Sequence, residues 1–277
     1  MIASSLPELP AAFAESARHL ETGVPGPAFI PLEIILQEKA LADGLAGLLR
    51  RWGPGDYRAA VSLWTQGYFG RFLRPVLAYG LIHDIWFSAK PADISVALSD
   101  ISIPVRFALK QARPASLQQH LSSIIHEHAQ QVIARIVDLT GTSERLHWSN
   151  ASFAFHRYHE IQRLWPEAEV PPAIAGRLLE LERMIASDHP LFYLTRKVSD
   201  AESEHRLMRK VCCIRFKLDG LKQCAAACPI ARQACRSRGR NVDRREPMPP
   251  LRLPDSAQKR VDVRGPARLT NPSDHRH

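Results

Sequence analysis

The sequence predicts an α+β protein that is predominantly helical, with a small antiparallel β element and a short cysteine-rich C-terminal segment. Three observations predict it. Apolar residues recur near a 3.6-residue period through most of the chain. One stretch, residues 93–109, alternates apolar and polar residues instead. All five cysteines, Cys212, Cys213, Cys224, Cys228 and Cys235, lie beyond residue 211.

Residues Leu9 to Leu20 and Leu32 to Trp52 read as amphipathic helices, the second on Ile35, Leu36, Leu41, Leu45, Leu48 and Leu49. GPGD at 53–56 is a turn, and Asp56 is a good N-cap for a helix from Tyr57 to Asp84. Pro75 predicts a break in that helix or the start of another. Ile94, Val96 and Leu98 alternate, as do Ile103, Val105 and Phe107, with Ser99 and Asp100 between them, so a hairpin is expected. Residues 116–139 give the clearest helix, with Leu117, Leu121, Ile124, Ile125, Val132, Ile133 and Ile136 in one stripe. Ser149 or Asn150 is expected to cap a helix running to Trp165, where PEAEVPP ends it. Ala173 to Ser187 and Glu202 to Lys210 read as helices, the last leading into the cysteines. No repeat of fixed period is present. Three regions result: 1–205, mostly helical with the small β element; 206–235, holding the cysteines; and 236–277, a basic tail with six prolines that reads as disordered and solvated.

The net charge of +9 is uneven: residues 236–277 carry 11 Lys/Arg against 5 Asp/Glu, and the rest carries 26 against 23. The basic character therefore belongs mostly to the tail, and no nucleic-acid partner is expected from it. The longest apolar run, PVLAYGLIH at 75–83, lies between Arg74 and Asp84 and is too short to span a membrane. The N-terminal residues lack the basic-then-apolar pattern of a signal peptide. Few cysteines in such a chain point to metal or redox chemistry rather than to a disulfide scaffold.

Four clustered thiolates suit either structural zinc or a 2Fe–2S centre. Zinc knuckles space their cysteines by two to four residues, whereas Cys212 and Cys213 are adjacent, and this spacing favours iron–sulfur. Pro229 follows Cys228 directly, as a proline follows a ligand cysteine in bacterial ferredoxin motifs. Arg209, Lys210, Arg215, Lys217 and Lys222 surround the group and would favour the more reduced, more anionic state of a cluster.

The vicinal pair in its setting, RKVCCIRFKLDGLKQCAAACPI at 209–230, resembles the CC-x10-C-x2-C motif of FhuF-like ferric-siderophore reductases. SLWTQGYFGRFLRPVLA at 62–78, WSNA at 148–151 and HPLFY at 189–193 resemble further family elements in the same order. The final pair departs from the motif: Cys224 and Cys228 are separated by three residues, which still allows a shared face on a helix. Cys235 is a possible substitute for the fourth ligand.

The resemblance implies an iron–sulfur oxidoreductase with a 2Fe–2S cluster on Cys212, Cys213, Cys224 and Cys228. It would reduce Fe(III) in a siderophore by one electron and release Fe(II) in the cytoplasm. Peripheral contact at the inner face of the cytoplasmic membrane stays open. No G-x-G-x-x-G or P-loop is present; after Gly53 and Gly55 stands Arg58. The electron donor is therefore expected to be a protein, a ferredoxin or an NAD(P)H-dependent reductase, docked with help from the basic tail. The alternative is a zinc-stabilised four-cysteine protein whose tail contacts nucleic acid or a membrane surface.

Other residue sets weigh less. Trp64, Tyr68 and Trp148 could line a pocket, but aromatics at such spacing belong more often to a core. His126 and His128 fall in the 116–139 helix, where His128 joins the apolar stripe as a hydrogen-bonded core histidine. His156 and His159 have metal-like spacing and are expected at the surface. Glu180 and Glu182 lie on different helix faces and suggest no catalysis.

Overall fold

The computed structural model describes residues 6–52, 56–100, 102–110, 116–165, 169–185, 188–200, 203–218, 221–222, 224 and 227–230. Cys235 and the tail lie outside the described residues. The first predicted helix is shorter, α1 at Ala11–Ala17, and is followed by strand β1 at Leu20–Thr22 and strand β2 at Phe29–Pro31. The second divides into α2, Leu32–Ile35, and α3, Glu38–Trp52.

The centre of the protein is α4, Tyr57–His83, a helix of 27 residues. Asp56 caps it, accepting from the Arg58 N–H at 3.0 Å. Trp64, Tyr68, Phe69, Phe72, Leu73 and Leu77 are all fully buried, so packing surrounds the helix. That packing explains why Pro75 neither breaks nor restarts it: the loss of one backbone bond, about 3 kcal/mol, is offset by buried apolar contact. The left-handed Asp84 ends the helix at φ 57°. At Gly80, a Cβ would stand 2.3 Å from the Trp86 ring, so only glycine admits that indole against the helix.

The expected hairpin is present as β3, Ile94–Leu98, and β4, Pro104–Leu109. It forms the middle of a four-stranded sheet of order β1-β4-β3-β2, in which β1 runs parallel to β4 and the other pairs are antiparallel. The sheet closes over α4 through Phe107, whose ring meets Tyr68 edge-on at 5.3 Å.

The 116–139 helix starts at a capping box of Ser116 and Gln119, as α5, Leu117–Ser122. It passes through a π-helical segment at Ser123–Ala129 and continues as α6, Gln130–Thr140. His128 is buried as expected; its Nε2 lies 3.0 Å from the Tyr68 hydroxyl, and its ring stacks on Phe72 at 4.0 Å. Helix α7, Glu144–Phe155, begins five residues before Ser149, so Ser149 and Asn150 are interior and not caps. Helices α8, His159–Gln162, α9, Pro172–Met184, and α10, Pro190–Tyr193, follow.

The helix expected from Glu202 to Lys210 is instead a strand, β6, Ser203–Arg209, paired antiparallel with β5, Thr195–Asp200. Cross-strand pairing overrides the helix propensity of this segment. His156 and His159 are likewise not at the surface. They are 7% and 8% exposed, because His156 Nε2 meets the Phe192 carbonyl at 2.8 Å and Tyr158 packs on the His159 ring at 4.0 Å. Among the described residues, no helix is long and apolar enough to cross a membrane.

Burial pushes the pKa of His128 and His159 down to about 3 and that of His147 down to about 4. The folded protein therefore holds these imidazoles neutral, while the unfolded chain protonates them below about 6.5. In that window the unfolded state binds more protons, so stability is full above about 6.5 and is lost as pH falls. Urea unfolding at pH 7 and pH 5 is expected to differ by roughly 1–2 kcal/mol for each such histidine. An unchanged midpoint would contradict their burial.

Candidate cysteine centre and its basic pocket

Strand β6 delivers the chain to the cysteines. The Lys210 N–H bonds the Leu194 carbonyl at 2.8 Å, and the Ser149 hydroxyl donates to the Val211 carbonyl at 3.2 Å. After Cys212 and Cys213, Ile214 takes a left-handed conformation, φ 50°. A β-branched residue rarely does so, and such strain gathers at functional sites. Here it turns the Ile214 N–H back toward Cys212 Sγ, 3.3 Å away. The next turn, Arg215–Lys217, is pinned to the start of α4 by Lys217 Nζ on Asp56 Oδ2 at 3.0 Å. Although burial opposes it, bonding from Arg58 and Lys217 holds the Asp56 carboxyl down at about 2.

The four predicted sulfurs lie near one another, and one contact between them is direct. Cys213 Sγ and Cys224 Sγ are 3.8 Å apart. Two sulfurs each about 2.3 Å from one tetrahedral metal would be separated by about 3.8 Å. Cys228 lies against Cys212 and, after burial, adds to the upward push on that thiol. The Cys213 thiol is held well below its usual range by its contact with Cys224, then by the Arg215 N–H and the Arg209 charge, although burial opposes this. Cys224, the other sulfur of that contact, is pushed up, first by the contact and then by burial. Cys213 and Cys228 are 1% and 2% exposed. Cys224 itself lies in no helix, and the Ala227 N–H bonds its carbonyl at 3.1 Å; the helix face expected for Cys224 and Cys228 falls partly on residues outside the described ones.

Behind the sulfurs lies a buried polar chain. Arg209, 4% exposed, donates to the Ser149 carbonyl at 3.0 Å and to Asn150 Oδ1 at 2.8 Å, and its guanidinium covers the Phe153 ring at 4.2 Å. Asn150 passes the connection on through Nδ2, to the Ser62 carbonyl at 3.0 Å and Thr65 Oγ1 at 2.8 Å. Asn150 thus ties α7, α4 and β6 at one point, a role that sequence reasoning missed by treating it as a cap. Trp64 and Trp148 are core or near-core, their indoles bonded to the Ser102 carbonyl at 3.0 Å and Glu144 Oε1 at 2.9 Å.

A cavity of about 710 Å³ opens beside Cys224. Arg157, Arg163, Lys197, Arg206, Arg209 and Arg215 line it, with Glu160 as the one carboxylate among the described lining residues. Of the basic residues expected around the cysteines, Arg209 and Arg215 reach this wall. Lys217 serves Asp56, and Lys210 lies over the Tyr193 ring at 5.8 Å.

The residues fit an anionic metal–sulfur group. The donor set is soft. Two buried donor atoms at the sulfurs, Gln66 Nε2 and Arg209 Nε, have no hydrogen-bond partner of ordinary geometry, and both residues help to hold down the Cys213 thiol. A buried donor without a partner is costly, and a cluster's sulfurs would supply acceptors. Among the described residues, no three His, Cys, Asp or Glu side chains gather as one metal ion requires.

The family described as "Ferric iron reductase FhuF-like transporter" matches residues 62–202, half of the chain. The chain belongs to this FhuF-like family. The matched span runs from the Ser62 that Asn150 bonds to the start of β6, and it ends before the cysteines. A ferric siderophore reductase of Escherichia coli (strain K12) is 24% identical over 175 residues, 61% of this chain and 65% of that protein. The chain therefore spans less than two thirds of that relative's length. Among solved structures, the petrobactin biosynthesis protein AsbB from Bacillus anthracis str. Sterne aligns at 12% identity and a TM-score of 0.34, over 57% of this chain and 31% of that one. That likeness is too slight to bear on fold or function.

Proposed function

We propose that this FhuF-like protein is a ferric-siderophore reductase of the cytoplasm, with Cys212, Cys213, Cys224 and Cys228 as ligands of a 2Fe–2S centre. The observation that supports it most is the 3.8 Å approach of Cys213 Sγ and Cys224 Sγ, with Gln66 Nε2 and Arg209 Nε as buried donors that have no hydrogen-bond partner of ordinary geometry. The family and the E. coli relative support the reductase part.

Such a centre supplies single electrons at a potential set by its surroundings. The chain's own residues do the rest. Arg209 places a fixed positive charge against the sulfurs, which favours the reduced state. The Ile214 and Arg215 N–H groups aim at Cys212 and Cys213 and stabilise their anionic forms. Core residues around Cys213 and Cys228 exclude water, while the half-buried Cys224 gives onto the cavity, where a chelate comes close. Gain of one electron turns hard Fe(III) into Fe(II), which oxygen ligands hold far less tightly, so no general acid or nucleophile is needed. A protein donor replaces the electron.

The test is turnover. Full-length protein, prepared anaerobically and kept reduced with dithionite, is mixed with ferric siderophores of several ligand types and a ferrous-specific trap. Formation of trapped Fe(II) well above the dithionite-only rate is expected for at least one of them. A rate equal to that blank with every chelate would refute the proposal.

A further inference from the structure

One histidine in the cavity wall is left half used. His159 lines the space beside Cys224. Its Nδ1 lies 2.9 Å from Gln162 Oε1, and Gln162 Nε2 donates to Glu182 Oε1 at 2.8 Å. An ionised carboxylate can only accept, so the Gln162 amide nitrogen faces Glu182 and its oxygen faces the imidazole. His159 is therefore the donor in its own bond, through Nδ1–H. Burial pushes the pKa of the ring down to about 3, so near neutral pH it carries that one proton and Nε2 keeps a lone pair. Tyr158 packs on the ring at 4.0 Å and fixes it from the face. Among the described residues Nε2 has no hydrogen-bond partner, and unlike Gln66 Nε2 and Arg209 Nε it is not sealed from solvent.

The cavity, of about 710 Å³, lies within the range of small-molecule sites. Lys197, Arg209 and Arg215 in the same wall have side chains that only donate. The oxygens that hold iron in a chelate are deprotonated, so they accept from such groups and have nothing to give to Nε2. What Nε2 can take is an N–H or O–H from a part of the ligand away from the iron. A ligand without one leaves this acceptor unpaired when it displaces water, which costs affinity.

We propose that His159 determines specificity in the chelate subsite: its Nε2 accepts a hydrogen bond from a peripheral N–H or O–H of the siderophore, and chelates without such a donor bind more weakly. Gln162 and Glu182 are positioning residues that hold the acceptor tautomer, as outer carboxylates do for ligating histidines. The iron-bound oxygens are left to the basic side chains of the wall. The inference deepens the reductase reading and rests on it for the ligand's being a ferric chelate.

Gallium(III) separates the two claims, because it has nearly the radius of Fe(III) and accepts no electron. Full-length protein is titrated by calorimetry with the gallium complex of a linear trihydroxamate whose spacers carry secondary amides. A second titration uses the same ligand N-methylated at those amides, a complex of equal charge. The secondary-amide complex is expected to bind about tenfold tighter. In His159→Phe, which keeps a ring against Tyr158 and lacks the lone pair, that difference is expected to disappear. In the unaltered protein, long-range proton–nitrogen correlation spectra should show His159 as the Nδ1–H tautomer, with an Nε2 resonance that moves on adding the first complex only. Equal affinities in the unaltered protein, binding of neither complex, or a difference that persists in His159→Phe would overturn the proposal. If the variant does not fold, the Nε2 resonance decides, and its failure to move overturns the proposal. The iron complexes of both ligands are then put through the ferrous-trap assay. A preference without reduction would count against the reductase reading alone, and reduction without a preference against this inference alone.

Discussion

Cys213→Ser is expected to abolish the visible chromophore and to lower ferric-chelate reduction by at least about a hundredfold, since even outer contacts of metal ligands cost tenfold to a hundredfold when lost. Cys213 is the most committed of the four thiols. It is 1% exposed, stands 3.8 Å from Cys224, and receives the Arg215 N–H and the charge of Arg209. A serine hydroxyl in its place is a hard donor that does not ionise near neutral pH, so one corner of the centre is lost. The substitution is small, and core packing around Leu218 should survive it, which circular dichroism checks. Cys235→Ser is the matching control for the fourth ligand. If Cys228 is that ligand, Cys235→Ser keeps full colour and Cys228→Ser does not; the reverse pattern would reassign the role to Cys235.

Arg209→Leu should have the second largest effect, on both stability and potential. Arg209 is 4% exposed, bonds the Ser149 carbonyl and Asn150 Oδ1, and covers Phe153. Leucine leaves two acceptors buried without those donors and removes the one buried cation at the sulfurs among the described residues. Losing one member of a buried charged network costs about 3–5 kcal/mol, which urea unfolding measures directly. A redox titration of the same variant should move toward a more negative potential, because less positive charge stabilises the reduced state. Arg209→Lys keeps the charge without the planar fork, so it should recover most of the potential and little of the stability. A variant that loses stability but keeps its potential would make Arg209 a structural residue only.

Periodicity made much of this fold legible. Helix α4, the α5–α6 stripe and the β3–β4 hairpin follow from apolar spacing, because each is long enough to show its period. Strands β1 and β2 are three residues each, too short to alternate visibly, and β1 joins β4 in parallel across most of the N-terminal half. Strand β6 was missed because Glu204, Leu207 and Met208 are good helix formers, and only pairing with β5 overrides them. Had it been read as a strand, Leu207 and Arg209, both of which line the cavity, would have fallen on one face.

The site was legible to the same degree. Cysteine spacing pointed to the four sulfurs because the motif is local. The cavity was not visible, since Arg157 and Arg163 come from the turns around α8 while Lys197 and Arg206 come from the β5–β6 hairpin. Nor was the role of Asn150, whose partners Ser62 and Arg209 are each more than fifty residues distant. His156 and His159 were misplaced for a related reason: their type suits a surface, and only tertiary partners reveal that they are buried.

The most direct test is the chemical content of the full-length protein isolated without oxygen. Iron and acid-labile sulfide in equal amounts, two of each per chain, are expected, with visible absorbance that bleaches on dithionite. Zinc without sulfide, or thiols free of any metal, would contradict a 2Fe–2S centre on these cysteines.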